Sequence, residues 1–322
     1  MAAIFLTVRS QARACRLVDP GGDVYHAMAY MGIPVALDLA RRRAGARVVY
    51  DARDIYVDAN NLARLPRLVR ALLAQVERRW ARRADRVVTV NRPYAEVMAA
   101  RWGVPLPAIV LNCAYRRPAD RPVERRFHER LGLDPGQRVV LYQGGLSPHR
   151  GIEQLIEAIP LVDDAVLVLL GYGVLAHELE TLARSPALAG RVRLLPAVPP
   201  EELLDWVAAA DVVAMPIQPS TLNHRLTTPN KLFEAMTAGV PVVAGDLPGM
   251  SGIVRETGCG FVCDPTDPAA IAAAIRAVID APEAERLAVR RRALAAADDR
   301  YNWETQLGVL LAEYGSLTSR PW

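Results

Sequence analysis

The chain contains the segment Pro229-Asn230-Lys231-Leu232-Phe233-Glu234-Ala235-Met236-Thr237-Ala238-Gly239-Val240-Pro241-Val242-Val243, in which Pro229 opens a predicted helix and residues 240–244 form a predicted strand. Its Lys231 is the one lysine among 39 basic side chains. Lysine is a compact charge on a flexible stem, so it can enter a crowded phosphate site where the planar guanidinium of arginine would clash. The alternative interpretation is that one lysine has to fall somewhere, and the neighbouring segments decide between the two.

The strand in this segment is one of nine short β-branched runs that alternate with helix-length runs. Such alternation is typical of parallel βαβ units. A chain of 322 residues, 52% of them hydrophobic, can build two cores. We therefore predict an α/β protein with two Rossmann-like parallel-sheet domains and strands at residues 47–50, 86–90, 108–111, 138–143, 165–170, 191–195, 211–216, 240–244 and 260–263. The predicted closing helices lie at residues 268–280, 282–297 and 302–314.

One segment interrupts the alternation and predicts a domain boundary. Residues 116–124 place Pro118 and Pro122 among charged side chains, a composition typical of a linker. We expect an N-terminal domain at residues 1–120 and a C-terminal domain at residues 121–301. The helix at residues 302–322 is expected to pack back on the first domain.

Charge is distributed unevenly along the chain. Residues 1–125 hold 22 arginines against 11 carboxylates, whereas the remainder holds 17 cations against 24 carboxylates. The basic half indicates an anionic partner or surface. Nucleic acid is not expected, because no platform of aromatic and basic side chains accompanies the arginines.

Much of the positive charge lies in a predicted amphipathic helix at residues 62–85. Seven arginines lie in this segment. Among them, apolar side chains recur at helical spacing, at Leu65, Leu68, Val69, Leu72, Leu73, Val76 and Trp80. Such a helix could rest on acidic lipid headgroups as a peripheral membrane contact. We favour the alternative, in which the apolar stripe packs on a sheet and the arginines lie in water.

Other features of the sequence exclude several classes of protein. The four cysteines lack paired metal-ligand spacing, and the five histidines show no two-histidine helical motif, so we expect reduced thiols and no protein-held metal. The apolar opening of the chain is too short for a signal peptide, and no later run is long enough to span a membrane. We expect a cytoplasmic protein, with the inner face of the membrane as the alternative if the helix at residues 62–85 binds lipid.

A second segment carries phosphate-binding chemistry. The predicted strand at residues 138–143 is followed by Gly144-Gly145-Leu146-Ser147-Pro148-His149-Arg150-Gly151 and then by a predicted helix. Glycines let a ligand approach the backbone, and a helix start offers free N–H groups to a phosphate. Two such helix starts, with Arg150 and Lys231, predict a diphosphate site, although a plain turn with a solvated arginine is the alternative. Glu234 could accept ribose hydroxyls or pair with Lys231.

These segments resemble the donor-nucleotide region of the retaining family 4 glycosyltransferases, which have the glycosyltransferase B (GT-B) fold. The resemblance is carried by residues 229–243, 246–249 and 258–264, by the first phosphate loop at residues 142–151, and by residues 171–173 and 301–304. In the first domain, residues 23–27 and 49–54 are similar to the acceptor-side strands of these enzymes. Coverage is nearly complete from Asp23 onward.

The resemblance implies transfer of a sugar from a nucleoside-diphosphate donor, UDP or GDP, with retained configuration and no further cofactor. Arg150 and Lys231 would neutralise the departing diphosphate, helped by N–H groups near Asn230. The donor-binding set would be Gly144, Gly145, Tyr172, Val198, Asn223, Pro229, Asn230 and Glu234, with Glu234 on the ribose and Tyr172 with residues 196–199 at the base. The leaving phosphate would take the acceptor proton. Closure of an interdomain cleft about residues 116–124 would position the reactants.

Three positions depart from the family pattern. A glutamate that contacts the transferred sugar is replaced by Leu226, so Asn223, His224 or Arg225 would take part in sugar recognition. Arg53 and Met28 stand where the family carries histidines on the acceptor side. His26 is either their replacement or a polar residue at a strand end, and we place it with Arg53 among the candidate catalytic residues.

The beginning of the chain also departs from the family. The opening strand, glycine-rich loop and helix are not recognisable in residues 1–22, so the N-terminus is either divergent or preceded by further sequence. The acceptor is expected to be a glycan, a lipid-linked molecule or a small molecule. Two other functions stay open: a catalytically weak nucleotide-sugar-binding homologue that partners an active transferase, and an epimerase, which the sparse histidines disfavour.

Overall fold

The chain divides into two compact units. A computed structural model describes residues 2–118, 121–188 and 190–318. Unit 1 comprises Met1–Leu111, Thr221–Leu226 and Gln306–Trp322, and unit 2 comprises Asn112–Ser220 and Thr227–Thr305. The functional domain boundary at residue 120 stays a prediction. Parts of the predicted linker (residues 119–120) and of the predicted last helix (residues 319–322) lie outside the described residues.

Unit 1 is built on a four-stranded parallel sheet whose strands lie in chain order. The strands are β1 (Val24–Met28), β2 (Arg47–Ala52), β3 (Arg86–Thr89) and β4 (Ala108–Ile109). The helices between and before them are α1 (Ala2–Val18), α2 (Ala29–Ala40), α3 (Arg67–Ala81) and α4 (Arg92–Trp102). Short 3-10 helices at Tyr56–Asp58 and Asn60–Arg64 precede α3.

Two of these elements were not predicted from the pattern of apolar runs. Strand β1 lies at the edge of the sheet, and its first three residues are only half-buried. An edge strand needs fewer apolar side chains, which explains why the run Val24–Met28, with Tyr25 and His26, gave no strand signal. Residues 2–18 form α1, where no family element was recognisable.

Helix α3 is shorter than the predicted helix at residues 62–85. It begins after Pro66, whose fixed φ suits a helix start, and Arg82 ends it in the αR conformation. The predicted apolar stripe is only partly covered, because Leu73 is buried whereas Leu68 and Leu72 are 86% and 50% exposed. The favoured interpretation, a fully packed stripe, was therefore wrong for these two leucines.

Of the seven arginines at residues 62–85, Arg70 and Arg78 are half-buried and the other five are exposed. Arg70 pairs with Asp58 and donates to the carbonyl of Val57 at 2.9 Å. Arg82, just after the helix, donates to the carbonyl of Trp102 at 2.6 Å. These two arginines therefore fix the 3-10 segment and the end of α4, and the expectation that the arginines lie in water holds for the five exposed ones.

Unit 2 is built on a six-stranded parallel sheet. Its strands are β5 (Arg138–Gly145), β6 (Ala165–Tyr172), β7 (Val192–Leu195), β8 (Val212–Met215), β9 (Val242–Gly245) and β10 (Gly260–Cys263). The remaining helices are α5 (Arg126–Leu131), α6 (Ile152–Ala158), α7 (Ala176–Ala183), α8 (Pro200–Ala208), α9 (Leu222–Leu226), α10 (Asn230–Ala238), α11 (Ser251–Thr257), α12 (Pro268–Ile279), α13 (Glu283–Asp299) and α14 (Trp303–Leu317). Helix α9 and most of α14 group with unit 1.

The sheet order β10-β9-β8-β5-β6-β7 explains the apolar runs in the sequence. Residues 139–143 of β5 and 165–170 of β6 are buried throughout, as expected for central parallel strands covered on both faces. Helix ends follow local signals: Asp267 caps α12 by accepting from the N–H of Ala269 at 2.9 Å, and Gly239 ends α10 with φ of 68°. Within the described ranges, no helix is both long and apolar enough to cross a membrane.

Candidate functional site

Two of the predicted site segments meet where the chain reverses direction across the unit 2 sheet. Strand β5 lies between β6, which follows it in the chain, and β8, from which the chain continues to β9. Ligands of open parallel sheets bind beyond the carboxyl ends of the strands at such a reversal. Gly144 and Gly145 end β5, and Lys231 lies in the first turn of α10, which joins β8 to β9. The candidate site occupies this position.

Lys231 is held beside the end of β5 by an aromatic ring. Its Nζ atom lies 3.5 Å from the centre of the Tyr142 ring, a cation–π contact. A Cβ atom added to Gly144 would lie 3.8 Å from the same Nζ atom. The hydroxyl of Tyr142 donates to the carbonyl of Gly145 at 2.9 Å, so one side chain positions both the amine and the glycine pair.

Arg150 brings a second positive charge to the same place. Its charge acts on Lys231 and on Tyr142, which puts the three groups within electrostatic reach of one another. Burial, followed by the Arg150 charge, lowers the pKa of Lys231 to about 7, against the opposing effect of Glu234. Within the described residues, neither Lys231 nor Arg150 has a hydrogen bond or an ion pair. Two neighbouring basic groups that have no ion-pair partner among the described residues form a site suited to an anion.

The glycines leave room for that anion. Gly144 has φ of 116°, a backbone conformation that favours glycine, and both Gly144 and Gly145 are exposed. A Cβ atom on Gly171 of β6 would lie 1.9 Å from the carbonyl oxygen of Gly144, so any larger residue would push the two strand ends apart. The backbone next to Lys231 is therefore open to a ligand.

Glu234 lies one turn after Lys231 on α10 and is partly buried. Its Oε2 atom accepts a hydrogen bond from Nε2 of Gln143 at 3.3 Å. Burial raises the pKa of Glu234, while the Gln143 hydrogen bond and the Lys231 charge act in the opposite direction. The carboxylate is thus oriented by Gln143, and the alternative of a direct ion pair with Lys231 is not seen within the described residues.

The start of α10 offers backbone donors next to this carboxylate. Pro229 precedes the helix in an extended conformation, and no side chain caps this helix start within the described residues. The exposed Asn230 is the first residue of the helix. The uncapped first turn, with its partial positive charge, is therefore available to an anion.

The residues predicted at the nucleotide base lie at the ends of neighbouring strands of the same sheet. Tyr172 ends β6 and is 74% exposed. Val198 lies in the segment of residues 196–199 that joins β7 to α8, and it is half-buried. An exposed aromatic ring at a strand end is suited to stacking on a planar ligand.

Asn223 lies in unit 1 rather than in unit 2. Its Oδ1 atom accepts from the N–H of Ile55 at 2.8 Å, and its Nδ2 atom donates to the carboxylate of Asp54 at 2.9 Å. Its carbonyl accepts from the hydroxyl of Tyr94 at 2.9 Å. The side chain is buried, and these bonds tie α9 to the loop after β2.

Of the predicted acceptor-side residues, His26 is the middle residue of β1 and does not lie at the strand end. His26 Nε2 is 3.4 Å from Oδ2 of Asp51, and its Nδ1 is 2.7 Å from the hydroxyl of Tyr314 in α14. Arg53 follows β2, and its backbone N–H donates to the hydroxyl of Tyr56 at 3.3 Å. Burial, followed by the Asp51 charge, raises the pKa of Tyr314. His26 is therefore fixed from both ring nitrogens.

Four residues that sequence analysis did not single out shape these sites: Tyr142, Gln143, Asp51 and Tyr314. Tyr142 and Gln143 directly precede the glycine pair, so their place at the end of a buried strand was the available signal. Tyr314 is 288 residues from His26, and nothing in a single sequence connects them. In the part of the chain that the structure describes, no group of three histidine, cysteine or carboxylate side chains is arranged to hold a metal ion.

Comparison with protein families gives two matches that together span most of the chain. Residues 123–294 match the model of the glycosyl transferases group 1, and residues 3–114 match that of the glycosyl transferase 4-like domain. The first match covers the β5 glycines, Arg150, Lys231 and Glu234.

Curated relatives agree with these matches. A GDP-mannose-dependent alpha-(1-6)-phosphatidylinositol monomannoside mannosyltransferase of Mycolicibacterium smegmatis is 32% identical, over 87% of this chain and 73% of the relative. A D-inositol 3-phosphate glycosyltransferase of Xylanimonas cellulosilytica is 30% identical over 74% of this chain. The matched part of the chain spans 58% of the length of that relative. It spans 43% and 44% of the length of two further D-inositol 3-phosphate glycosyltransferases.

Solved structures share the fold. Sucrose-phosphate synthase from Thermosynechococcus elongatus superposes with a TM-score of 0.77 at 22% identity, covering 98% of this chain and 80% of that one. HepE of Anabaena, in complex with UDP, gives a TM-score of 0.76 at 20% identity, covering 96% and 82%. The predicted GT-B fold and the family resemblance are therefore confirmed. The chain belongs to the group 1 glycosyltransferases, with a family 4-like domain in its first third.

Proposed function

We propose that this chain is a retaining glycosyltransferase that moves a sugar from a nucleoside-diphosphate sugar to an acceptor without a metal held by the protein. The observation that carries the proposal is the pair of partly buried cations, Lys231 and Arg150, beside the exposed glycines that end β5. Two like charges held close together raise each other's free energy, and a diphosphate would remove that repulsion.

The same pair provides transition-state stabilisation. Negative charge accumulates on the leaving diphosphate as the bond to the sugar breaks, and fixed cations aimed at that charge lower the barrier. Lys231 and Arg150 take this role, with the N–H groups of the first α10 turn assisting. Neutralisation by side chains is a reason to expect transfer without a divalent ion.

Donor recognition follows from the groups around the cations. Glu234, oriented by Gln143, would accept the hydroxyls of the ribose. Tyr172 and Val198 would flank the base, and Gly144, Gly145, Pro229 and Asn230 would line the path of the diphosphate. Asn223 is a proposed contact to the sugar, but its side-chain amide is already engaged by Ile55 and Asp54.

We place the acceptor chemistry on unit 1, with His26 and Arg53. Asp51 and Tyr314 contact both ring nitrogens of His26, so an acceptor hydroxyl would have to replace the longer contact, the one of 3.4 Å between Nε2 and Asp51. Positioning of an acceptor hydroxyl is the main task left to side chains in this mechanism, because the leaving phosphate oxygen takes the acceptor proton.

A lipid-linked acceptor is supported by the surface of α3. Leu68 and Leu72 project from this helix into solvent, and Arg67 and Arg79 on the same helix are also exposed. Exposed leucines beside arginines on a helix suit an anionic lipid surface. The mannosyltransferase relative of Mycolicibacterium smegmatis is named for a phosphatidylinositol acceptor, which agrees with this proposal.

Incubation of the purified chain with radiolabelled UDP-, GDP-, ADP- and TDP-sugars, each with an inositol phosphate or with phosphatidylinositol mannoside vesicles, tests the function. Label on an acceptor, with unchanged anomeric configuration by NMR and no loss in EDTA, is the expected result. Altered free donor would indicate an epimerase, and donor binding without turnover would indicate a weak homologue. Neither outcome is compatible with the proposal.

The membrane contact has its own test. Sedimentation with phosphatidylglycerol vesicles is expected to fall when Leu68 and Leu72 are both changed to Gln. Leu287→Gln, at an exposed leucine of α13, serves as the matched control and should leave sedimentation unchanged. Equal sedimentation of all three proteins would contradict a role for α3.

A further inference from the structure

A cavity in unit 2 lies between the segment that follows β4 and helices α10 and α13. Its volume is about 260 Å³. Its apolar wall is formed by Val123, Ala238, Leu294 and Ala297, whereas arginines supply most of its polar wall. The cavity includes Thr237 at the last turn of α10, the helix that carries Lys231 in its first turn. Neither the family matches nor the proposed chemistry assigns a role to it.

Positive charge exceeds negative charge around this cavity. The carboxylate of Asp205, which is almost fully buried, pairs with three arginines, Arg117, Arg121 and Arg126. The side chain of Arg117 is itself 8% exposed. Arg126 is also paired with Glu124 and Glu202, so Arg117 and Arg121, which line the cavity, share the carboxylate of Asp205 and leave one positive charge uncompensated. Arg116 and Asp298, which also line the cavity, pair with each other at 3.2 Å.

Arg290 adds a fourth guanidinium. It lies on α13, is half-buried and lines the cavity. In the described portion of the chain it makes no hydrogen bond and no ion pair. Burial, followed by the like charge of Arg117, lowers the pKa of Arg290. A half-buried cation with a like-charged neighbour is unfavourable unless an anion joins it.

Thr237 supplies an independent polar group. Its side chain is 4% exposed, and among the described residues its Oγ1 atom has no hydrogen-bond partner. A buried hydroxyl without a partner loses its hydration and gains nothing in return. Thr237 lines the cavity together with Arg290, so rotation of its buried hydroxyl towards a ligand with acceptor oxygens would satisfy both groups.

We propose that this cavity is a second anion site, which binds a phosphate monoester with a short apolar body. Arg290 and Arg117 face the phosphate, the hydroxyl of Thr237 donates to one of its oxygens, and Val123 and Leu294 contact the apolar part. A phosphate has more acceptor oxygens than a carboxylate, which suits a site with several guanidinium groups and a hydroxyl. The proposal is independent of the diphosphate site at the other end of α10.

The full chain is titrated with hexyl phosphate and monitored by methyl NMR of labelled valine and leucine side chains. The chemical shifts report binding at each site separately. The expected result is saturable shifts of the Val123 and Leu294 signals. The Leu146 signals, next to the β5 glycines, report any binding at the diphosphate site. Hexanol is expected to give no saturable shift at Val123 and Leu294, because it lacks the anion.

Two variants and a control make the assignment specific. Arg290→Gln is expected to weaken hexyl phosphate binding by at least about tenfold, the effect of one lost charge-assisted hydrogen bond. Thr237→Val removes only the hydroxyl, so it should weaken binding without lowering the melting temperature. Arg276→Gln, at an exposed arginine of α12, should leave binding unchanged.

Three results would overturn the proposal. The first is no saturable shift at Val123 and Leu294 up to millimolar hexyl phosphate. The second is an equal affinity in Arg290→Gln whose melting temperature matches that of the unmodified chain. The third is an equal response to hexanol, which would show that the apolar wall alone binds the ligand.

Discussion

Binding of a nucleoside diphosphate is expected to take up a proton at Lys231. The pKa of Lys231 is about 7 without ligand, because burial and Arg150 disfavour the ammonium form. A bound diphosphate would favour that form and raise the pKa towards its ordinary value of 10.5. At pH 8 the free amine is mostly neutral, so binding should take up about 0.9 proton per diphosphate.

The sign of the pH dependence follows from the same two states. Below pH 7 the amine is already charged, so Lys231 contributes no proton uptake. Above pH 7 each proton has to come from solvent, and the affinity should fall about tenfold per pH unit until the pKa of the bound state is reached. The loss of affinity with rising pH is thus a signature of a lysine whose pKa is depressed only in the empty site.

Isothermal titration calorimetry at pH 8, in two buffers of different ionisation enthalpy, measures the uptake directly. The ligand is whichever of UDP, GDP, ADP and TDP gives the largest thermal shift. Lys231→Met is the control, because it keeps a similar shape without a titrating group and should show uptake near zero. Equal uptake by the unmodified chain and Lys231→Met would refute the role given to this lysine.

Three further predictions concern turnover and stability. Lys231→Ala and Arg150→Ala should each lower turnover by roughly two to three orders of magnitude without changing the melting temperature, as measured by a sugar-transfer assay and thermal denaturation. Burial raises the pKa of Glu77 to about 7, so the folded state holds a proton that the unfolded chain has lost, and stability falls as pH rises from about 4.5 through 7. Glu77→Gln removes this titration, so the unmodified chain should lose roughly 3 kcal/mol more unfolding free energy than Glu77→Gln between pH 4 and pH 8. Urea unfolding measures both proteins across this range, and parallel pH profiles would contradict the prediction. Asn223→Ala should lower the unfolding free energy by about 2 kcal/mol, because the buried N–H of Ile55 loses its acceptor, and an unchanged urea midpoint would count against that hydrogen bond.

The parallel sheets could be predicted because the sequences of their central strands are continuous apolar runs. Strand β6, Ala165–Tyr172, is buried along six of its eight residues, and only β-branched or leucine-rich sequence fits such a position. The edge strand β1 could not be predicted in the same way, because its half-buried residues need no uniform apolar character.

The phosphate-binding segments could also be predicted, because their features depend on residues that are close together in the sequence. Gly144, Arg150 and Lys231 each belong to a strand end or a helix start, and such positions can be placed from a few neighbouring residues. Their mutual approach required only that both segments lie at the carboxyl ends of strands in one sheet.

Contacts between parts of the chain that are far apart in the sequence could not be predicted. Asn223 was predicted to bind the donor because it lies near the position of the missing glutamate. Its side-chain oxygen instead accepts a hydrogen bond from the N–H of Ile55, 168 residues away. The exposure of Leu68 was also unpredictable, since helical spacing shows which residues share a face but not what covers that face.

A crystal structure of the chain with its preferred nucleoside diphosphate tests the central claim most directly. The account predicts that the diphosphate lies against Gly144 and Gly145, with its oxygens within hydrogen-bond distance of Lys231 Nζ and the Arg150 guanidinium, and with the ribose on Glu234. A diphosphate bound elsewhere, with Lys231 still over the Tyr142 ring and no contact to either cation, would contradict it.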